Sequence, residues 1–250
     1  MKRKQLTLLR HGQSLWNLEN KFTGWVDVPL SDTGRNEAKV AGELICDEGI
    51  EPHVLFTSML DRAIHTSEIA LRALHRSWIP VSRNWRLNER HYGALQGLDK
   101  SETAKIHGED QVKVWRRSFD VPPPAVDSSD SMHPANDDRY KDIPPEDLPS
   151  GESLELTRDR VMPYFHKCIV PAVQEGRSPL VVAHGNSLRS IVMMLDGLSS
   201  EDVLGLNIPT GVPLTYEFDS DGSVVSKRYL GDQDAIQRKI QEVAQQGASK

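Results

Sequence analysis

Two histidines in this chain stand in the same local setting, Leu9-Arg10-His11-Gly12 and Ala183-His184-Gly185-Asn186. Each follows a short apolar run and precedes a glycine. A neutral imidazole nitrogen can attack phosphorus and hold a phosphoryl group briefly. Arg10 precedes His11, and Arg62, Arg90, Lys100, Arg116 and Arg117 are further cations that folding could gather around it. Guanidinium forks match phosphate geometry, and fixed cations neutralise charge on the equatorial oxygens during transfer. The same cations would depress the basicity of His11 and keep its nucleophilic form present at neutral pH. The pattern therefore points to phosphoryl chemistry. Position alone leaves open two loop histidines that merely follow strands, and each arginine alone would read as a solvated surface residue.

The chemistry requires elements that bring the histidines together. Gln5–Leu9 reads as a buried strand, Val54–Thr57 as a second and Leu180–Ala183 as a third. Ser31 can cap a helix running to about Glu48, with Gly49 as its stop. Helices are expected after the second strand, through Arg62, Ile64, Ile69 and Leu74, and from about Leu188 to Leu195. Short apolar strands alternating with helices predict an α/β fold, a mostly parallel central sheet flanked by helices on both faces. Ligands bind such sheets outside the carboxyl ends of the strands, and both histidines would reach that crevice if their strands are neighbours. A glycine after each would let the backbone approach a bound group closely. One domain is expected over residues 1–250. A polar, Pro- and Ser-rich excursion at about 97–152 would cross the sheet's rim, and a tail at about 232–250 would be a fraying polar helix.

The chain has 250 residues, 38% of them hydrophobic and 26% charged, which suits a soluble globular protein and excludes a disordered or fibrous one. A formal charge of −6 argues against general nucleic-acid binding while allowing a local basic pocket. The apolar runs are too short for a membrane helix, and the basic start lacks a signal-peptide core. Cys46 and Cys168 cannot build a disulfide framework, so the expected setting is the reducing cytoplasm. No two histidines lie closer than the ten positions between His65 and His75, and no Cys-x-x-Cys or His-Glu-x-x-His occurs. No metal is expected.

At Leu9-Arg10-His11-Gly12-Gln13-Ser14 the sequence resembles the histidine phosphatase superfamily. Longer stretches resemble its cofactor-dependent phosphoglycerate mutases: Phe22–Ser31, Thr57–Thr66, Leu87–Gly97, Trp115-Arg116-Arg117, Ala183–Arg189 and Leu206–Pro213. The likeness runs nearly end to end. Gln13 departs from the glutamate of many relatives, and the stretches Asp127–Arg139 and Pro149–Glu152 are less typical.

The resemblance implies roles. His11 would be the phosphorylated nucleophile and His184 would stabilise transfer from across the phosphoryl group. Arg10 and Arg62 would hold the transferring oxygens, helped by Ser14, Asn17, Gly185 and Asn186. Glu89 would handle the substrate hydroxyl proton. Thr23, Gly24, Arg90, Tyr92, Lys100, Arg116 and Arg117 would grip the carboxylate and the other phosphate. The implied reaction is interconversion of 3-phosphoglycerate and 2-phosphoglycerate, primed by 2,3-bisphosphoglycerate, in glycolysis and gluconeogenesis. The implied assembly is a homodimer or homotetramer without nucleic-acid or membrane partners. A bisphosphoglycerate mutase or a metabolite phosphatase of the same superfamily is the alternative. Gly247–Lys250 would fold over the pocket mouth and exclude water.

Overall fold

The computed structural model describes residues 3–245. Its elements, in chain order, are β1 (Lys4–Arg10), α1 (Leu15–Leu18), α2 (Asp32–Asp47), β2 (Leu55–Thr57), α3 (Asp61–Ala73), β3 (Val81–Arg83), α4 (Lys100–His107) and α5 (Glu109–Arg117). After a run of short 3₁₀ turns come α6 (Leu154–Tyr164), a π turn (Phe165–Ile169), α7 (Val170–Gln174), β4 (Leu180–Ala183), α8 (Gly185–Asp196) and α9 (Asp202–Gly205). The hairpin β5 (Pro213–Phe218) and β6 (Val224–Tyr229) precedes α10 (Gln233–Gln245).

The six strands form one sheet in the order β3-β2-β4-β1-β5-β6. Strands β3, β2, β4 and β1 are parallel, and β5 and β6 continue antiparallel. The α/β architecture with a mostly parallel sheet is thus as expected. Both faces of its centre are buried, so the strands read as unbroken apolar runs whose alternate side chains serve opposite layers. Leu9, Leu55, Leu180 and Val182 pack with Ala41, Ile45, Ala70 and Leu71 of α2 and α3. Leu6, Leu8, Val181 and Ala183 pack with Val161 of α6 and Leu188, Ile191 and Val192 of α8.

Ser31 caps α2 as expected, its Oγ accepting from the Gly34 amide at 3.0 Å, and Gly49 follows the helix end at φ +64°. Helix α8 departs from expectation. It begins at Gly185, directly after His184, rather than near Leu188. The His184 amide donates to Ser187 Oγ, which closes the first turn and lets Gly185 and Asn186 be helical despite their weak propensity. The polar stretch 100–117 forms two helices, broken at Gly108 with φ +86°.

The 97–152 excursion has no core of its own. It leans on the body through two small clusters, one joining Phe22 to Leu95, Ala104 and Val112, the other joining Trp25 to Tyr140 and Leu148. Residues 247–250, on which the lid expectation rests, lie outside the described residues.

Candidate active site

Strands β1 and β4 are the central pair of the sheet, in parallel register with Arg10 opposite Ala183. The next residue of each chain segment is therefore a histidine at the same height. The His11 amide donates to the Ala183 carbonyl at 3.0 Å, and the two imidazole centroids are 4.9 Å apart. His11 Nδ1 lies 2.7 Å from the Gly12 carbonyl oxygen. A carbonyl only accepts, so Nδ1 holds the proton and the Nε2 lone pair is left for an electrophile. Both rings are buried, and burial holds their basicity well below the ordinary histidine value, with Arg62 and Arg10 lowering it further. His11 is thus neutral at pH 7, the form that attacks phosphorus.

Every residue expected in the site lines one cavity, except His184, Ser14 and Arg90. His184 stands beside His11 without lining the cavity, its Nε2 2.7 Å from Ser58 Oγ. Ser14 caps α1, accepting from the Asn17 amide at 3.2 Å, and so fixes the turn that offers Asn17. Arg90 is fully buried and spends its Nη atoms on the carbonyls of Trp115, Arg116 and Ser118. It therefore anchors the end of α5, which delivers Arg116 and Arg117, instead of facing the cavity. Of the two glycines, only Gly185 reaches the cavity. A Cβ on Gly12 would lie 2.1 Å from the Gly34 carbonyl oxygen, so Gly12 serves the packing of the His11 loop on α2.

The cavity is strongly cationic. Arg10, Arg62, Lys100, Arg116 and Arg117 are joined by Lys21 and Arg189, which sequence reading did not single out. Against them stands one carboxylate among the described lining residues, Glu89. Arg10 Nη1 is held by the Ile208 carbonyl at 2.7 Å, and Arg62 Nη2 by that of Gly24 at 2.7 Å. Neutral carbonyls position these guanidinium groups without cancelling their charge. Burial pulls Arg62 down to about 10 and Lys100 to about 7, with Arg116 and Arg10 adding to the Lys100 shift. Such mutual repulsion would be relieved by an anion with several oxygens, so the lining suits phosphate and carboxylate groups.

Glu89 Oε1 accepts three N–H groups: the amide of Arg90 at 2.8 Å, the amide of Asn186 at 3.0 Å and Asn186 Nδ2 at 2.9 Å. The Asn186 amide is an open donor of the first turn of α8, the end of a helix that favours a negative group. Oε2 remains open toward Gly185 and Arg10. The loop carrying Glu89 is held by a buried pair that sequence reading also missed. Arg160 Nε and Nη2 donate to the two oxygens of Glu152 at 2.7 and 2.8 Å, while its Nη atoms also reach the carbonyls of Arg86, Asn88 and Glu89. Glu152 Oε2 in turn accepts the His91 amide at 2.8 Å. The aromatic Trp25 completes the clamp by donating Nε1 to the Glu89 carbonyl. Helix α10 adds Val243 to the wall. Among the described residues, no group of three or more His, Cys, Asp or Glu is gathered as a metal set would require.

The family model for the histidine phosphatase superfamily (branch 1) matches residues 6–133 and 125–230. The chain belongs to the histidine phosphatase superfamily. Within it, the chain is 58% identical over 243 residues to a 2,3-bisphosphoglycerate-dependent phosphoglycerate mutase of Nitratidesulfovibrio vulgaris, a match covering 97% of each chain. Among solved structures, a mycobacterial glucosyl-3-phosphoglycerate phosphatase in complex with VO3 superimposes with a TM-score of 0.67 at 22% identity, covering 90% of this chain and 97% of that one. The Shigella flexneri alpha-ribazole phosphatase gives 0.66 at 19% identity, covering 91% and 96%. At that distance the structural likeness speaks for the superfamily fold, which the six-stranded sheet and its flanking helices share.

Proposed function

We propose that the protein is a 2,3-bisphosphoglycerate-dependent phosphoglycerate mutase that interconverts 3-phosphoglycerate and 2-phosphoglycerate. The observation that carries this is the pairing of a neutral, buried His11 with a multiply cationic cavity containing a single open carboxylate oxygen, Glu89 Oε2. The 58% identity to a mutase of that name supports the same activity over the phosphatase alternative.

The cavity's cations fit the primer, a small molecule with two phosphates and a carboxylate. When bound, 2,3-bisphosphoglycerate supplies the phosphoryl group that His11 must carry before a monophosphate can accept it. In the first half-reaction the 2-hydroxyl of 3-phosphoglycerate attacks the phosphoryl group on His11 Nε2. The N–P bond breaks as the O–P bond forms, and Glu89 takes the hydroxyl proton. Arg10 and Arg62 balance charge on the equatorial oxygens, and His184, beside His11, stabilises the transfer from across the phosphoryl group. After the bisphosphate turns around, His11 Nε2 attacks the phosphorus at C3. Glu89 returns its proton to the departing oxygen, and 2-phosphoglycerate leaves.

Arg116, Arg117 and Lys100 hold the groups that do not react, with Thr23, Gly24 and Tyr92 shaping their pocket. Ser14 and Arg90 act in this reading as positioning residues for Asn17 and for α5. The chain works as one unit, with its rim excursion closing over the sheet. It acts on soluble phosphoglycerates as a homodimer or homotetramer in the cytoplasm, with no metal. The test is an enolase-coupled assay with 3-phosphoglycerate, run with and without added 2,3-bisphosphoglycerate and repeated with a chelator. The reading requires turnover that the primer stimulates and the chelator leaves intact. Release of inorganic phosphate in place of 2-phosphoglycerate would instead make the protein a phosphatase.

A further inference from the structure

Arg189 is a buried cation that the reaction above does not use. It sits on α8 one turn after Asn186, is 5% exposed and lines the cavity. Its Nη1 donates to Asn186 Oδ1 at 3.0 Å and its Nη2 to the Val203 carbonyl, the latter tying α8 to α9. Its Nε is buried without a partner. The charge is retained without a carboxylate bonded to it. Burial, with Arg90 and Arg117, pulls Arg189 down to about 9.

A guanidinium has five N–H donors and no acceptor, so the atom of Asn186 that faces it must be the oxygen. The Asn186 NH₂ is thereby turned away from Arg189, toward Glu89 Oε1 at 2.9 Å and the Tyr92 hydroxyl at 3.4 Å. An amide turned the other way would set its oxygen against the carboxylate and its NH₂ against a cation. Both contacts would be repulsive. With the amide fixed, Oε1 is filled by three donors and the proton has one place left to go, Oε2. Facing Glu89 electrostatically are Arg10 from β1, Arg62 from α3 and Arg189 itself from α8. Of these, Arg189 alone reaches Glu89 through a hydrogen-bonded side chain.

We infer that Arg189 is a positioning residue: it fixes the polarity of the Asn186 amide and so makes Glu89 Oε2 the proton-handling oxygen. This rests on the mutase reading of the site. In chemical terms Arg189 preorganises a proton donor and acceptor, so its loss falls on turnover and leaves substrate affinity nearly unchanged.

The experiment is a double-mutant cycle on the full chain, with kcat and KM for 3-phosphoglycerate measured under saturating 2,3-bisphosphoglycerate. Arg189→Met and Asn186→Ala should each lower kcat about tenfold, the effect of one hydrogen bond that matters in the transition state. With the amide already removed by Asn186→Ala, adding Arg189→Met should cost less than threefold more, because nothing remains to orient. Arg189→Lys, a donor-only side chain, should recover part of the loss, whereas Arg189→Gln, which also offers a carbonyl, should not. Multiplicative losses in the double variant would overturn the inference. So would a loss confined to KM, which would make Arg189 a direct holder of substrate anions. Should Arg189→Met fail to fold, the Lys and Gln variants decide: equal activity in both contradicts the inference. Wild-type protein measured alongside keeps the two readings apart, since absence of mutase turnover there defeats the reading of the whole site rather than the role of Arg189.

Discussion

At the scale of single residues, the site is held by buried charges that do not line the cavity. Arg160 and Glu152 are the clearest case. Both are nearly inaccessible, and between them they hold the backbone from Arg86 to His91. Removing one partner leaves the other charged and buried, which costs about 3–5 kcal/mol. Arg160→Met should therefore lower unfolding stability by that amount in urea titration, and a loss under 1 kcal/mol would show that the pair is not the clamp described. Lys100 gives a second test. Its ammonium loses its proton near pH 7 because burial and Arg116 disfavour the charge. A bound phosphate restores that charge. Below pH 7 the lysine is already protonated and contributes no pH dependence to binding. Above pH 7, 3-phosphoglycerate binding must take up a proton, and affinity should fall by up to about tenfold per pH unit. Calorimetry at pH 8 in buffers of different ionisation enthalpy reads that uptake directly. It should vanish in Lys100→Met, and an equal uptake in the variant would assign it elsewhere.

At the scale of elements, the parts that carry chemistry were the most legible in sequence. The runs Gln5–Leu9 and Leu180–Ala183 are buried on both faces, so their residue types announce strands without need of alternation. Ser31 and Gly49 bracket α2 because a cap and a stop are local chemistry. What escaped notice depends on contacts distant in sequence. Strand β3 has three residues and exists because Thr57 and Arg83 pair across the sheet edge. The start of α8 is by contrast local: the His184 amide bonds Ser187 Oγ three residues on, in a stretch whose Gly and Asn have weak helix propensity. The hairpin β5–β6 does carry a readable signal, Leu-Thr-Tyr-Glu-Phe followed by a turn at Asp219–Gly222. Cavity residues supplied by motifs were anticipated from the resemblance. Arg189 ends one of those motifs but has no role from the resemblance, while Lys21, just past α1, and Val243 of α10 reach the same rim only through the fold. Helix α10 is anchored by Lys239, whose Nζ lies 2.7 Å from Glu37 Oε1, while Glu37 Oε2 accepts the Gln13 amide in the His11 loop. Val243 is half-buried at the cavity wall. Val243→Glu places a carboxylate on the wall of the cationic cavity. It should raise KM about tenfold, consistent with one added repulsion in a partly screened site, with stability changed by less than about 0.5 kcal/mol. An unchanged KM would mean that α10 does not border the bound substrate.

At the scale of the whole molecule, a chain of net charge −6 places seven of its 30 Lys and Arg around one cavity that holds a single described carboxylate. That separation draws anions to the site while the rest of the surface stays acidic. It also exposes the fold to acid. His11, His184 and His91 are all held below the ordinary histidine range by burial, His91 at about 4. The unfolded chain binds protons on these rings near pH 6.5, whereas the folded chain does not. Their contribution to stability is therefore complete above that value and is lost as pH falls below it, at up to about 1.4 kcal/mol per pH unit for each ring. Urea midpoints should be clearly lower at pH 5 than at pH 7, and equal midpoints would contradict the buried neutral histidines. The central claim is that His11 carries the phosphoryl group. Mixing the protein with ³²P-labelled 2,3-bisphosphoglycerate, quenching in alkali and mapping the peptides tests it most directly. The expected result is an acid-labile, alkali-stable label on the peptide containing His11, discharged on addition of unlabelled 3-phosphoglycerate and absent from His11→Asn. Full mutase turnover with no label on that peptide, or with the label on another residue, would contradict it.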